Sequence, residues 1–491
     1  MSLNALIASA EAVPFAKVGG MADVVGSLPA ALRRQGVDAR VVLPGYGFIE
    51  HFKYDITLLF EFTFTHRLGT SDVKVFHTVY DGVPFYFLQS WPYFGNDATV
   101  YSEWRWDVPR FIFFSQMVMA ALWELRQRTG WFPDVIHAND WHSGLLPFLL
   151  YEHRFEEAWS QVASIVNIHN LVYQGDHAGG FLYIAGIPGR HHPELVYRDL
   201  TDNLMAIAIA YSDAIITVSP RYAIEIRYPD FGYGLNDLIN ARGDRLRGIL
   251  NGIDVELWNP ATDPNLHTHF DASNFETHRP PNKTFLQHTL GLPQNPDTPV
   301  IGMVSRLVQQ KGIDLLVPAM RRLLYEQDVQ FVALGTGEAV FEDMLREIGN
   351  DFGWRGARVM LRYNDAVAQH IYAGSDLFLM PSHFEPCGTG QMLSLRYGSL
   401  PLVRETGGLA DTVQNYDNGS ADYGSGFSFL WEEPDALYHT LTWALDTYRH
   451  RRPAWQRMQR RGMETDFSWQ KSAQEYIEMY EIALRHRRGS G

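Results

Sequence analysis

Short apolar runs alternate with helical patterns along most of this 491-residue chain, and the alternation limits the folds that it can adopt. Alternating strands and helices predict parallel sheets joined by crossover helices. We therefore expect an α/β protein of doubly wound, Rossmann-like type. The runs that predict strands are residues 3–8, 39–43, 134–137, 163–168, 214–219, 300–304, 329–334, 358–361, 376–380 and 400–403.

The alternation is interrupted at residues 251–299, a proline-rich stretch that we interpret as a linker. This break predicts a first Rossmann-like domain over residues 1–250 and a second over 251–468, facing each other across a cleft. Apolar residues at helical spacing predict a final helix within residues 469–491. We expect this helix to pack back on the first domain.

The bulk composition excludes several classes of partner. A net charge of −15 would repel a nucleic-acid backbone, so an anionic substrate must meet a local basic cluster. The longest apolar run is shorter than the ~20 residues that a membrane-spanning helix needs. A single cysteine excludes internal disulfides and favours a reducing compartment, which predicts the cytoplasm, or the plastid stroma in a plant.

The segment after the predicted strand at 376–380 has the composition of a sugar-binding site. Its loop contains Glu385, and Cys387, Gly388, Thr389 and Gly390 follow where a helical pattern begins. Ligands of open parallel sheets bind beyond the carboxyl ends of the strands, and helix starts present free N–H groups. A carboxylate beside free amides is suited to sugar hydroxyls, so we predict a donor-sugar site here.

Two cations follow the predicted strand at 300–304, namely Arg306 and Lys311. A guanidinium can bind phosphate oxygens with a fork of N–H groups, and a lysine adds a mobile point charge. Their position at a strand end of an acidic protein predicts a diphosphate site. The alternative is that both are solvated surface charges.

Three further segments end predicted strands of the first half. The first strand leads to Lys17, Gly19, Gly20 and Asp23, whose paired glycines allow close approach of a ligand. The later strands lead to Asp140 and to His169 and Asn170, which are suitable partners for sugar hydroxyls. Structural roles are the alternative for each. We find neither a Walker A nor a G-x-G-x-x-G motif, and no spacing typical of metal ligands.

Seven segments, taken together and in this order, resemble bacterial glycogen synthases and plant starch synthases, which are retaining glucosyltransferases of GT-B fold. The segments are KVGGMADVVGSLPAAL, HANDWHSG, NIHNLVYQG, ILNGID, SRLVQQKG, FEPCG and RETGGLADTV. The resemblance covers nearly the whole chain. It implies transfer of glucose from ADP-glucose to the non-reducing end of an α-1,4-glucan such as glycogen, with no cofactor and no metal.

The resemblance also implies roles for single residues. Arg306 and Lys311 would clamp the diphosphate, Glu385 would hold glucose hydroxyls, and Lys17 would contact the donor. The remaining residues implied to line the donor or sugar pocket are His169, Asn251, Tyr363 (at the nucleotide) and Asp140 (near the reacting centre). For the family, the usual proposal is that the diphosphate leaves from, and the acceptor hydroxyl attacks, the same face of the sugar.

The chain departs from the family pattern at two places. Thr389-Gly390 stands where Leu-Thr is usual, and Asn139 replaces a common histidine before Asp140. The first departure motivates an alternative, a glycan-binding or regulatory protein with impaired turnover. A second alternative is the same transferase with a preference for UDP-glucose. A phosphorylase with pyridoxal phosphate would need a Schiff-base lysine motif, which we do not find.

Overall fold

The computed structural model describes residues 3–362, 364–417 and 423–489. Its contacts divide the chain into two compact units, which are Met1–Gly252 with Trp469–Gly491, and Ile253–Ser468. Each unit contains one sheet with helices packed against it. The predicted fold class, α/β with two Rossmann-like domains, is confirmed.

The first unit is built on a nine-stranded sheet of order β3-β4-β5-β2-β1-β6-β7-β8-β9. From β5 to β9 along this order all neighbours are parallel, whereas β3, β4 and β5 pair antiparallel. The strands are β1 Asn4–Ala8, β2 Asp38–Pro44, β3 Thr57–His66, β4 Gly69–Tyr80, β5 Val83–Gln89, β6 Val135–Asn139, β7 Ala163–Ile168, β8 Ala214–Thr217 and β9 Leu246–Gly248.

Helices cover this sheet, and two of them show how a capping residue sets a helix end. The longest, α2, ends at Gly130 in the left-handed conformation, and α6 is capped by the Asn203 side chain, which accepts from the Ala206 N–H. The helices are α1 Gly20–Arg34, α2 Trp104–Thr129, α3 Leu146–Glu152, α4 Gly179–Ile184, α5 Pro193–Tyr197, α6 Leu204–Tyr211, α7 Pro220–Glu225, α8 Pro229–Gly232 and α9 Asn236–Ala241.

The second unit has a six-stranded, fully parallel sheet of order β12-β11-β10-β13-β14-β15. Its strands are β10 Val300–Val304, β11 Gln330–Leu334, β12 Ala357–Met360, β13 Leu377–Met380, β14 Leu400–Arg404 and β15 Phe427–Phe429. Its helices are α10 Phe275–His278, α11 Pro280–Thr289, α12 Ile313–Glu326, α13 Ala339–Phe352, α14 Asp365–Gly374, α15 Gly390–Arg396, α16 Gly407–Thr412, α17 Pro434–His450 and α18 Arg452–Glu464.

The last helix, α19 (Trp469–Gly489), belongs to the first unit. Its buried tyrosines reach the central strands, where the Tyr480 hydroxyl lies 2.8 Å from His137 Nδ1 and Tyr476 accepts from Asn167 Nδ2 at 3.1 Å. Burial lowers the pKa of His137 to about 3, so its ring is neutral at pH 7. Among the described residues, no helix combines the length and apolarity needed to cross a membrane.

The interpretation of residues 251–299 as a linker is wrong. The stretch forms α10 and α11, and its Phe270, Phe275 and Leu286 are buried in the second unit. Pro280 and Pro281 lie in the first turn of α11, where the missing N–H has no helical partner to lose. Proline density therefore indicated a helix start here.

A buried ion pair ties this stretch to the second sheet. Lys283 Nζ of α11 lies 2.7 Å from Asp376 Oδ2, both side chains are at most 6% exposed, and Asp376 also accepts from the Val300 N–H at 2.9 Å. Burial lowers the pKa of Lys283, but the carboxylate of Asp376 more than offsets this and leaves the pKa above its ordinary value. Lys283 is therefore charged in the folded protein, and it lies against Asp376.

Asp376→Asn tests the contribution of this pair. The asparagine can still accept from Val300, but it leaves the Lys283 charge buried without a counter-charge. We expect the free energy of unfolding, measured by urea titration, to fall by about 3–5 kcal/mol. Asp351→Asn, which removes an exposed partner of Arg321, should cost less than about 1 kcal/mol. Equal losses in the two variants would contradict this assignment.

Candidate functional site

Both sheets place their candidate residues at a topological switch point. In the second sheet, β11 and β12 extend to one side of β10, and β13 lies on the other side. In the first sheet, β2 and β6 flank β1 in the same way. Crevices at the carboxyl ends of such strand pairs are where open α/β sheets bind ligands. The loops that follow β1, β6, β10 and β13 are therefore the candidate ligand-binding loops.

In the second unit, Gln310 joins the loops after β10 and β13 through its side chain and its backbone. Gln310 Nε2 donates to the Phe384 carbonyl at 3.1 Å, and the His383 N–H donates to the Gln310 carbonyl at 2.9 Å. Gly312 has φ of +66°, and a Cβ there would lie 2.1 Å from the Pro381 carbonyl oxygen. Only glycine fits this approach, which brings Lys311 to the β13 loop.

Lys311 and Glu385 form an ion pair at this switch point, with 2.5 Å between Nζ and Oε2. Ser382 Oγ donates to the same carboxylate oxygen at 3.0 Å. The side chains of Lys311 and Glu385 are only 15% and 7% exposed, so the pair is largely shielded from water. The guanidinium of Arg306, by contrast, is exposed and makes no hydrogen bond or ion pair within the described part of the chain.

The loop that carries Glu385 is held against the start of α16. The Gly408 N–H donates to the Glu385 carbonyl at 3.1 Å. A Cβ at Gly407 would lie 2.0 Å from that carbonyl oxygen, and a Cβ at Gly408 would lie 2.1 Å from the Cys387 carbonyl oxygen. The paired glycines of the RETGGLADTV segment therefore allow α16 to approach this loop closely.

The residues from Cys387 to Gly390 lead into α15. Cys387 is buried, and Gln391 Nε2 donates to its carbonyl at 3.0 Å and to that of Gly388 at 3.1 Å. Within the described ranges, the N–H groups of Thr389 and Gly390 have no acceptor. These two amides are therefore available to an oxygen-rich ligand.

Gly390 stands where the family pattern commonly has threonine, and its surroundings are tightly packed. A Cβ at Gly390 would lie 3.1 Å from the Phe378 ring and 3.3 Å from Met380 Sδ. A side chain at this position would therefore require these two neighbours to shift by a few tenths of an ångström.

In the first unit, the glycine loop is organised by a residue that sequence reasoning missed. Glu11 is buried, and its Oε2 accepts from the N–H groups of Val18 at 2.6 Å and Gly19 at 2.8 Å. Its Oε1 accepts from the Tyr101 hydroxyl at 2.5 Å. The N–H of Gly19, a predicted donor-binding residue, is thus bonded to Glu11.

The other predicted residues of this loop lie around Glu11. Gly20 begins α1, and a Cβ there would contact nothing within 4 Å. Lys17 is exposed and pairs with Asp23, with 2.7 Å between Nζ and Oδ1. The cation predicted to contact the donor is therefore accessible and paired with a carboxylate in the first turn of α1.

Asp140 and His169 are brought together at the ends of β6 and β7. Asp140 Oδ1 accepts from the His169 N–H at 2.7 Å. Burial raises the pKa of Asp140 to about 7, against the effect of the His169 and Asn170 backbone N–H bonds. Burial also lowers the pKa of His169 to about 3. Asp140 adopts φ of +51° and ψ of −171°, a conformation outside the left-handed helical region that residues other than glycine rarely adopt.

The remaining predicted residues have separate environments. Asn170 Oδ1 accepts from the Val172 N–H at 3.1 Å, which forms a local turn. Asn251 is buried in the first unit, and its Oδ1 has no partner in the described ranges. Tyr363 lies outside the described residues. No group of three His, Cys, Asp or Glu side chains in the described part of the chain is arranged to hold a metal ion.

Two family models match the chain, a starch synthase catalytic domain over residues 4–241 and glycosyl transferases group 1 over residues 291–457. Glycogen synthases from Desulforudis audaxviator and Streptococcus sanguinis are each 40% identical, over 98% of this chain and 97% and 100% of theirs. The chain belongs to the glycogen and starch synthase family. It is therefore a glycosyltransferase, and the resemblance seen in the sequence is confirmed.

Solved structures agree with this membership. The catalytic domain of starch synthase IV from Arabidopsis thaliana, bound to ADP and acarbose, has a TM-score of 0.87 with 33% identity, over 98% of this chain and 99% of that one. A sucrose-phosphate synthase from Thermosynechococcus elongatus, at 16% identity and a TM-score of 0.62 over 98% of both chains, shares the fold. The first structure supports the family membership, and the second supports the fold alone.

Gly312→Ala tests the close approach that positions Lys311. It combines backbone strain at positive φ, about 1–2 kcal/mol, with the collision on Pro381. Gly291→Ala is the matched control, because φ is +62° there but the nearest atom is 3.8 Å away. We expect both variants to lower the Tm in calorimetry, with a larger drop and a loss of transferase activity only for Gly312→Ala. Indistinguishable variants would contradict the close-approach argument.

Asp140→Asn tests the buried carboxyl. A folded-state pKa raised from 3.8 to about 7 means that the native protein binds this proton more tightly than the unfolded chain. Native stability from this group therefore falls as the pH rises from about 4 to 7. Asparagine does not titrate.

The Tm of Asp140→Asn minus that of the unsubstituted protein should therefore be smallest near pH 4. It should grow as the pH rises and level off above pH 7. The contribution of nearby histidines is common to both proteins and cancels in the difference. Exposed Asp297→Asn should show no such trend, and a pH-independent difference for Asp140→Asn would contradict the raised pKa.

Proposed function

We propose that this chain transfers glucose from ADP-glucose to the non-reducing end of an α-1,4-glucan, with retention of the anomeric configuration. The observation that carries the proposal is the shielded Lys311–Glu385 ion pair at the switch point of the second sheet. The ADP and acarbose bound to the Arabidopsis relative support a nucleotide-sugar donor and a glucan acceptor. A reducing cytoplasm is the proposed setting, consistent with one free cysteine.

In this proposal, Lys311 and Arg306 neutralise the diphosphate as it leaves. Charges fixed in advance around a developing anion act most strongly where water is partly excluded, and the low exposure of Lys311 meets that condition. Exposed Arg306 adds a guanidinium that can bind two phosphate oxygens. Two cations supply the charge that a divalent metal would otherwise provide.

Glu385 is proposed to accept hydrogen bonds from glucose hydroxyls rather than to attack the sugar. Its carboxylate is already engaged by the Lys311 ammonium and the Ser382 hydroxyl, which lowers its nucleophilicity. The bond from the anomeric carbon to the phosphate oxygen breaks, and a bond to the acceptor oxygen forms on the same face. The proton of the acceptor hydroxyl passes to the departing diphosphate, so that no protein base is required.

The first unit is proposed to contact the sugar through largely neutral groups. His169 and Asp140 have pKa values moved toward their neutral forms by burial, and neutral polar groups are suited to sugar hydroxyls. Exposed Lys17 is proposed to contact the donor. The remaining proposed donor contacts are Gly19, Gly20, Asp23, Asn170, Asn251, Tyr363, Cys387, Gly388, Thr389 and Gly390.

The decisive experiment measures nucleotide release from ADP-glucose and from UDP-glucose in parallel, with and without glycogen. We expect glycogen-dependent release of ADP, with a lower kcat/KM for UDP-glucose. Preferred release of UDP would overturn the choice of donor. Binding of glycogen without release of either nucleotide would overturn the enzyme and favour a glycan-binding protein.

Lys311→Ala should lower kcat by about 10²–10³-fold, because loss of one preorganised charge at a developing anion typically has an effect of this size. Glycogen affinity, measured by calorimetry, should change little, since the substitution acts on the donor. Arg346→Ala, which removes an exposed cation on α13, is the control and should retain activity. Near-native kcat in Lys311→Ala would contradict the proposed role in diphosphate departure.

A further inference from the structure

Asn139, the last residue of β6, is hydrogen-bonded to Ser143, Ala8 and His169 and is only 1% exposed. Its backbone N–H lies 2.7 Å from Ser143 Oγ. Its side-chain Nδ2 donates to the Ala8 carbonyl at 3.1 Å. Its Oδ1 lies 2.8 Å from His169 Nε2. The side chain therefore connects the end of β1 to the residue that follows β7.

These contacts determine which way the amide faces. Were the amide rotated by half a turn, its oxygen would face the Ala8 carbonyl oxygen, and two acceptors would be opposed. The Ala8 carbonyl therefore requires Nδ2 on its side and leaves Oδ1 facing His169. An amide oxygen can only accept a hydrogen bond, so His169 Nε2 must carry the proton.

A neutral histidine has a single ring N–H, and His169 is neutral at pH 7 because burial lowers its pKa to about 3. With the proton on Nε2, Nδ1 is left as an acceptor. Nδ1 has no partner in the described ranges, and it is not among the fully enclosed polar atoms without a partner. The backbone N–H of His169 is fixed separately by Asp140. The ring thus presents one free acceptor nitrogen.

We propose that Asn139 is a positioning residue that holds His169 as its Nε2–H tautomer, so that Nδ1 accepts a hydrogen bond from a sugar hydroxyl. That the hydroxyl belongs to a sugar rests on the proposed function. The tautomer itself does not. The family pattern commonly has histidine at this position, whose two ring nitrogens can exchange donor and acceptor roles. The amide of Asn139 cannot exchange them.

The ionisable groups that surround His169 do not set its tautomer by charge. His137 and His142 each have a pKa lowered to about 3 by burial and, in part, by His169 itself. Asp140 contacts the backbone of His169, and Glu11 acts on Asp140 from the loop after β1. The hydrogen bond from Nε2 to Asn139 is therefore the contact that distinguishes the two ring nitrogens.

Nitrogen-15 NMR of the full-length protein, labelled in histidine, tests the tautomer directly. The His169 signals are assigned by their loss in His169→Gln. We expect a single proton on Nε2 in the unsubstituted protein at pH 7. In Asn139→Ala both tautomers should be populated, and kcat/KM should fall about tenfold, as expected for loss of one hydrogen bond that orients a group.

Asn139→Asp is the second variant, and it tests the contact between residue 139 and His169 if Asn139→Ala does not fold. Its carboxylate still accepts from Nε2, so the tautomer should persist, but the negative charge should raise the pKa of His169. The kcat/KM profile should then gain an acidic limb at higher pH than in the unsubstituted protein. Ser143→Ala, which alters the same turn without touching the imidazole, should keep the Nε2–H tautomer.

His169 retaining only the Nε2–H form in Asn139→Ala would overturn the proposal, whatever the activity of that variant. An unshifted acidic limb in Asn139→Asp would do the same. Failure of the proposed function is distinguishable from both. In that case the unsubstituted protein would release no nucleotide with glycogen, while its His169 would still show the Nε2–H tautomer.

Discussion

The ion pair of Lys311 with Glu385 is the interaction on which the organisation of the second unit's site depends. It lies at the switch point of a parallel sheet, and the backbone around it is arranged to bring its two loops together. Gly312 allows one loop to touch the other, and Gly407 and Gly408 allow a helix start to touch the loop of Glu385. A side chain at any of these glycines would meet a carbonyl oxygen at about 2 Å.

A further set of contacts holds the β13 loop, and it includes a buried arginine at the end of β14. Arg404 is buried, its Nε donates to the Ser382 carbonyl at 2.8 Å, and it pairs with Glu432 at 3.0 Å. His383 lies between Glu432 and Asp314, at 3.1 and 2.8 Å. The residues that the donor would touch are thus oriented by charges outside the site, as preorganisation requires.

The sequence was sufficient for most of the parallel strands and insufficient for the antiparallel ones. The strands of the second sheet from β10 to β14 are short, mostly apolar runs, and they were predicted within one residue at either end. The β3–β5 segment was missed, although phenylalanines alternate with polar residues along β3, because β3 lies at the sheet edge and is mostly exposed. Strand-end residues such as Glu385 and His169 were also found. Glu11 was not, because nothing local distinguishes a carboxylate that folds back on a loop seven residues later.

The two units differ in whether their shielded ionisable groups have a counter-charge, and the difference matches the chemistry of the proposed substrate. In the first unit, burial without a counter-charge moves the pKa of Asp140 up to about 7 and those of His169 and His142 down to about 3. Near neutral pH the two histidines are uncharged and Asp140 is about half protonated. In the second unit, Lys311 is only 15% exposed and has the Glu385 carboxylate 2.5 Å away. Neutral hydrogen-bonding groups are suited to sugar hydroxyls, and an ammonium largely shielded from water is suited to a departing diphosphate.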